Sequence, residues 1–275
     1  MAAGLPPGLA AIAVRAAASA QVFVGDPVHP VLAPDDAHHL GRVLRLRDGE
    51  EVIVSDGAGH WARTRWTAGG PGSGALAALD DGSGPGGDGL VQFEPAPAPA
   101  LTVAFAPTKG ERPEWVVQKL TELGIDRIVP LVSERSVVRW SGARAEGAVD
   151  RLRRVAREAA GQCRRVWLPH ISPVVRFDAL GGLGAPAGAQ GGLPGDVVLA
   201  QLSGDRLSTS HRVVAIGPEG GWSADELGSG LPTVGFGLSV LRAETAAVTA
   251  AALMVSLRTG TVAQMAPTTP QEEPS

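Results

Sequence analysis

The chain has 275 residues, of which 44% are hydrophobic and 19% charged, and a net charge of -4. That length supports two domains and a large core, whereas the overall charge gives no sign of a nucleic-acid partner. Cys163 is the only cysteine, which excludes an internal disulfide and any multi-cysteine metal site.

Ala10 to Ala20 is Ala-rich, short and interrupted by Arg15. It reads as part of an N-terminal extension over 1–20 and not as a signal peptide. No segment is long enough to span a membrane, and a reducing, cytoplasmic location is expected. From Gln21 the texture changes to short strands: Gln21 to Val24, Glu51 to Val54, His60 to Thr67, Leu76 to Leu79 and Leu90 to Phe93. Pro34 to Leu46 predicts a helix with Leu40, Val43 and Leu44 on one side and Gly49 beyond its end. These elements make a small β-rich domain over 21–94, whose Gly-rich insert Gly82 to Gly89 is expected at a mobile loop tip. Trp61 and Trp66 fall in a strand and either stack on bases or fill the core. His38 and His39 are adjacent, so they cannot share a helix face, and they read as structural.

Glu94 to Ala100 alternates Pro and Ala, a semi-rigid spacer that places a linker at 95–100. Beyond it the order becomes strand (Leu101 to Ala106), helix (Pro113 to Leu123, with Gly124 past its end) and strand (Ile125 to Val132). That alternation predicts a parallel sheet covered by helices, in a second domain over 101–263, with ligands at the carboxyl ends of the strands. Arg144 to Cys163 predicts a long helix with a stripe of Ala148, Leu152, Val155, Ala156 and Ala159. From Arg135 to Arg165 nine arginines face only Glu146, Asp150 and Glu158, a local positive excess that suits a polyanion. Gly181 to Gly195 is low-complexity and reads as a long loop, Val197 to Ala200 is a strand, Thr245 to Arg258 is an Ala-rich helix, and 264–275 is a frayed tail.

The most informative stretch is the apolar run Val213 to Ile216 followed by Gly217-Pro218-Glu219-Gly220-Gly221-Trp222-Ser223. A strand ending in Gly-Pro-x-Gly-Gly leaves backbone amides uncovered, and Ser223 with Glu226 forms a capping-box pattern that starts a helix on the same opening. The glycines match neither a phosphate-binding P-loop nor a dinucleotide fingerprint.

"IGPEGGWSADEL" followed by "VLRAETA" resembles the cofactor-binding end of the RsmE family, the 16S ribosomal RNA uridine-N3 methyltransferases of the SPOUT class. "HHLGRVLRLRDGEEVIVSDGAG", "PTKGERPEWVVQKLTELGIDRIVPLVSERSVV" and "REAAGQCRR" resemble the same family along the rest of the chain. The resemblance implies an α/β fold: a SPOUT-type parallel sheet with a C-terminal trefoil knot, preceded by a small PUA-like β-barrel domain that grips RNA. It also implies S-adenosylmethionine as cofactor, the small ribosomal subunit as partner, a homodimer built partly on the last helix, and no metal.

On that resemblance the cofactor is expected against Leu199, Ile216, Gly217, Pro218, Glu219, Gly220, Gly221, Leu238, Ser239 and Leu241. Arg242 is expected at the reacting base, with Glu244 and Thr245 fixing the geometry. RNA is expected at Arg42, Arg45, Lys109, Arg112, Arg135, Gln162, Arg164 and Arg165. One position departs from the family pattern: where relatives carry a first arginine in this motif, the chain has Ser239. That departure leaves open a SPOUT enzyme with another RNA target, or a non-catalytic RNA-binding or ribosome-assembly protein.

Overall fold

The computed structural model describes residues 7–70, 73–78, 91–184 and 196–263. The insert Gly82 to Gly89, the loop from 185 to 195 and the tail from 264 lie outside the described residues. The chain divides into two units, one made of Met1–Pro97 with Arg151–His170, the other of Ala98–Asp150 with Ile171–Ser275.

In the first unit α1 (Pro7–Ala17) occupies much of the stretch read as an extension, and β1 (Ala20–Phe23) follows. The helix predicted from Pro34 begins as α2 (Pro34–His38) and widens into one π-helical turn at His39–Val43. An extra residue in a turn rotates the next residues by about 100°. The predicted apolar stripe is therefore split: Leu40 is fully buried, while Val43 and Leu44 are exposed. Just past the turn, Arg45 has a φ of 54°, in the left-handed region that a side chain adopts at a cost.

Strands β2 (Glu51–Ser55), β3 (His60–Gly70), β4 (Ser73–Ala78) and β5 (Val91–Phe93) complete a sheet of order β1-β2-β3-β4, with β5 also on β3. Only the β1–β2 pair is parallel. Alternation along β3 supplies two cores. Ala62 and Trp66 join Val22, Leu40, Val52 and Val54 on one face; Trp61 joins Ile53, Val166 and the apolar side of α1 on the other. Both tryptophans are 1% exposed, so they fill cores and offer no ring to a base. Arg15 of α1 lies over the Trp61 ring, donates to the Arg164 carbonyl at 3.0 Å and pairs with Glu94. Burial pulls its guanidinium down to about 10, which still leaves it charged at neutral pH.

The second unit is built on β6 (Thr102–Phe105), α3 (Arg112–Leu123), β7 (Arg127–Val132), α4 (Gly142–Gln162), the short strands β8 (His170–Ile171) and β9 (Val175–Arg176), and β10 (Val197–Arg206). Then come β11 (Val213–Ile216), α5 (Ala224–Leu227), β12 (Thr233–Gly235) and α6 (Ala243–Arg258). α4 begins in this unit and ends in the first. Gly124 closes α3 with a left-handed φ of 101°, as its sequence position predicts. The low-complexity segment begins within a 3₁₀ stretch at Phe177–Gly184, whose Leu180 and Leu183 reach the core.

The sheet runs β12-β10-β11-β6-β7-β8, with β9 on β7, and the pairs from β12 to β7 are parallel. Its strands read as continuous apolar runs because both faces are covered. β6 and β11 are buried at every residue. β10 extends past the predicted end at Ala200, and its register against β12 breaks between Ala200 and Asp205. Gly204 makes that closeness possible, since a Cβ there would stand 2.5 Å from the Val234 backbone. α6 packs on α3 and across β6 and β11 with small residues, Ala246, Ala247, Ala250 and Ala251 being buried.

Candidate active site

A cleft of about 550 Å³ opens where β11 ends and β10 breaks register against β12. Its floor is Ala200, Gln201 and Leu202 from β10, Ile216 from β11 and Val234 from β12. This is where ligands bind in open α/β sheets, because helix termini and loops converge there without side chains from the sheet in the way.

One wall is the loop after β11. Gly221 donates its N–H to the Pro218 carbonyl at 2.8 Å with φ 68°, a tight turn that suits glycine. Trp222 then turns inward, donates from Nε1 to the Ala200 carbonyl at 2.9 Å and stacks obliquely on Phe177, 5.6 Å between centroids. Ser223 caps α5 in a full capping box with Glu226. Glu226 is only 5% exposed and does more than cap: Oε2 accepts from the Ser223 N–H at 2.9 Å, and Oε1 accepts from the Glu134 N–H at 2.8 Å in the loop after β7.

The other wall is the segment from Phe236 to Ala243, with Ser239, Val240, Leu241 and Arg242 on the cleft. Arg242 sits at the N-cap of α6, accepts the Ala246 N–H at its carbonyl, and is exposed with no carboxylate within ion-pair range among the described residues. Two carboxylates lie near this rim. Glu219 pairs with Arg112 at 3.0 Å, and Glu244 meets the same guanidinium at 3.7 Å. Glu244 Oε2 is buried without a hydrogen-bond partner. Arg112 thus ties the start of α3 to both walls.

Of the residues expected at the cofactor, Ile216, Gly217, Pro218, Glu219, Gly221, Ser239 and Leu241 line the cleft. Leu199 does not: it is fully buried in the sheet core, one residue before the strand reaches the opening. Gly220 directs its Cβ position at Arg135, and Leu238 is fully exposed beyond the rim. Thr245 is exposed on the first turn of α6, where its carbonyl accepts from Thr249 Oγ1. The alternation of sides along a strand is legible in sequence, but the register break in β10 beyond Ala200 was not, so Ala200, Gln201 and Leu202 were missed. Ala246 was missed because it lies on a helix read only for packing.

The residues expected at RNA divide by unit. In the second unit Lys109 is exposed, and Arg135 donates from Nη1 to the Gly220 carbonyl at 3.1 Å. In the first unit Arg42 and Arg45 are exposed on and just after the π-helical turn, and Gln162 is exposed at the end of α4. Arg164 is occupied internally: it donates to the Ala18 and Gly161 carbonyls at 2.8 and 3.1 Å, its φ is 61°, and burial holds its guanidinium below the usual value. Arg165 is half-buried, and its carbonyl takes the Gln21 amide at 2.6 Å. No cluster of three His, Cys, Asp or Glu suited to a metal occurs among the described residues, and no helix among them is long and apolar enough to cross a membrane.

Residues 94–255 match an RNA methyltransferase domain, and residues 32–73 match an RNA methyltransferase PUA domain. The chain is 31% identical over 230 residues to ribosomal RNA small subunit methyltransferase E of Mycobacterium bovis, covering 80% of this chain and 83% of the relative. It is 30% identical over 237 residues to the protein of that name from Synechocystis, covering 80% and 70%. A probable rRNA-methyltransferase from Porphyromonas gingivalis shares the fold with a TM-score of 0.67 at 25% identity, over 88% of this chain and all of that one. The Neisseria gonorrhoeae methyltransferase E, solved bound to S-adenosyl methionine, superposes with a TM-score of 0.68 at 24% identity, over 86% and 97% of the two chains. The chain therefore belongs to the ribosomal RNA small subunit methyltransferase E family, with a PUA domain ahead of its methyltransferase domain.

Proposed function

We propose that this chain methylates N3 of a uridine in 16S ribosomal RNA within the small subunit, using S-adenosylmethionine. The observation that carries the reading is the cleft at the end of β11 and the register break of β10, walled by a glycine loop and by Arg242, in a member of this family. The cleft suits the cofactor. Its volume of about 550 Å³ is in the range of small-molecule sites. Gly217 and Gly221 bare their backbones, while Ile216, Leu202, Phe236 and Leu241 give an apolar lining.

When bound, S-adenosylmethionine supplies an electrophilic methyl group. The chain's own part is positioning and charge. Loss of the N3 imide proton to solvent leaves negative charge on the ring, which is consumed as the N–C bond forms. Arg242, exposed at the rim and held at the start of α6, meets that charge. Glu244, linked through Arg112 to Glu219, fixes the start of α6 against the glycine loop, and Thr245 extends the same turn. Ser239 lines the cleft with a hydroxyl where relatives carry an arginine, which favours, as a second reading, a different RNA target.

RNA contact is assigned to Arg42, Arg45, Gln162, Arg164 and Arg165 in the first unit and to Lys109, Arg112 and Arg135 in the second. The domain boundaries at 21–94 and 101–263 are part of the same proposal, as is a cytoplasmic site of action. A trefoil knot in the C-terminal segment is supported by its course from the edge strand β12 back across β11 and β6. A homodimer is supported by Leu238 and Val240, 102% and 84% exposed beside the cleft.

The test of the pocket is equilibrium titration with S-adenosylmethionine. Ala246→Leu adds a branched side chain to the lining without touching the glycine loop, and is expected to weaken binding at least tenfold. Unchanged affinity in a folded Ala246→Leu protein would remove the cofactor from this cleft.

A further inference from the structure

The loop from Ser133 to Arg139, between β7 and α4, is tied down at almost every polar group and yet ends in an unsatisfied surface. The Ser133 N–H donates to Ser136 Oγ at 2.9 Å, and the Ser136 N–H returns to the Ser133 carbonyl at 3.2 Å. Arg139 donates from Nε to the Ser136 carbonyl at 3.3 Å and from Nη2 to the Glu134 carbonyl at 2.6 Å. Two further bonds fix the loop to the cofactor wall: the Glu134 N–H to Glu226 Oε1, and Arg135 Nη1 to the Gly220 carbonyl.

So braced, the loop leaves Val137 67% exposed at its tip. Arg135 and Arg139 flank it, both exposed, and neither has a carboxylate within ion-pair distance among the described residues. A guanidinium has five N–H donors. Arg135 uses one on Gly220 and Arg139 two on the loop, so each has donors left for a phosphate oxygen. An apolar tip between two uncompensated cations, pre-ordered by its own hydrogen bonds, matches a nucleic-acid strand, in which phosphates alternate with apolar ribose and base faces.

We propose that this loop is a substrate-RNA contact that sets the strand in register with the cleft, Arg135 and Arg139 taking phosphates and Val137 packing on a ribose or base between them. Because Arg135 and Glu134 are bonded to the glycine loop and its capping residue, RNA held here is indexed to the methyl donor. The inference rests on the methyltransferase reading above, and it adds Val137 and Arg139 as recognition residues and a direct link between the RNA surface and the cofactor wall.

The test uses the full chain and a 16S RNA transcript, with RNA affinity measured across a salt series, cofactor affinity by calorimetry and mass by sedimentation. Val137→Glu is expected to weaken RNA binding at least tenfold, with cofactor affinity within twofold and mass unchanged. Arg135→Gln is expected to lower the slope of log affinity against log salt by about one. RNA affinity within twofold of wild type for both variants overturns the proposal, as does a fall in mass for Val137→Glu without loss of RNA binding, which would make the tip a contact between two copies. If the wild-type chain binds neither the transcript nor small subunits that lack the modification, the functional reading fails and not merely the loop.

Discussion

Glu226 is the residue on which both the cleft wall and the loop after β7 depend. It is 5% exposed and accepts the Ser223 N–H at 2.9 Å and the Glu134 N–H at 2.8 Å. Hydrogen bonds to a charged acceptor are worth about 1.5–3 kcal/mol each, and losing the acceptor strands the donors. Glu226→Ala removes both, so a cost of about 3–6 kcal/mol is expected, a fall in Tm of at least about 6 °C. Glu226→Gln keeps one carbonyl oxygen but sets an amide N–H₂ against the second donor, so its cost should be about half. Ser223→Ala loses the cap alone, about 1 kcal/mol. Thermal unfolding gives the order, and amide exchange gives the location: Glu134 and Ser223 should lose protection together in Glu226→Ala. Wild-type Tm within 2 °C in both Glu226 variants, or exchange changed at Ser223 but not at Glu134, would refute the idea that one carboxylate joins the two loops.

Arg258, at the end of α6, pairs with Asp126 and donates to the Gly124 carbonyl at 2.9 Å, with its side chain 9% exposed. Breaking a buried pair from one side costs about 3–5 kcal/mol, so Arg258→Ala should lower the urea midpoint markedly, and a loss under 1 kcal/mol would show the pair to be dispensable. Burial holds His211 below its ordinary value of 6.5, against the opposing pull of Asp196 and Asp205, and its Nδ1 accepts the Ser208 N–H. The unfolded chain therefore takes up that proton first, and stability should fall as pH drops below 6.5 toward the folded-state value. His211→Asn should flatten that part of the pH–stability curve, and an unaltered curve would contradict the assignment. Arg242→Ala should lower single-turnover methylation about 10²–10³-fold, the usual loss for a charge-stabilising donor, with cofactor affinity within threefold; equal loss of cofactor affinity would make Arg242 a binding residue instead.

Much of the parallel sheet was legible because its strands are buried on both faces and announce themselves as apolar runs, Val213–Ile216 most plainly. The helix starts and stops at Ser223 and Gly124 were legible because capping is local chemistry. What escaped was non-local. The π-helical turn at His39–Val43 depends on burying Leu40 in the sheet, which periodicity alone does not convey. The length of β10 depends on Gly204 meeting Val234, thirty residues away in sequence. Within the cleft, the glycine loop was readable from its composition, whereas Ala200 to Leu202 were not, because the break in β10 there is set by its pairing with β12. Arg164 looked like a basic surface residue, and its hydrogen bonds to the Ala18 and Gly161 carbonyls could only come from the fold. Glu226 was visible as a cap, but its second partner, Glu134, lies 92 positions away.

Methyl transfer itself is tested by mass spectrometry of nucleosides from 16S RNA of small subunits that lack the modification, incubated with the purified chain and S-adenosylmethionine. New 3-methyluridine is expected with wild-type protein, and strongly reduced amounts with Arg242→Ala. Binding of the cofactor without any methylated nucleoside, on subunits and on free RNA alike, would overturn the assignment of this chain as a uridine-N3 methyltransferase.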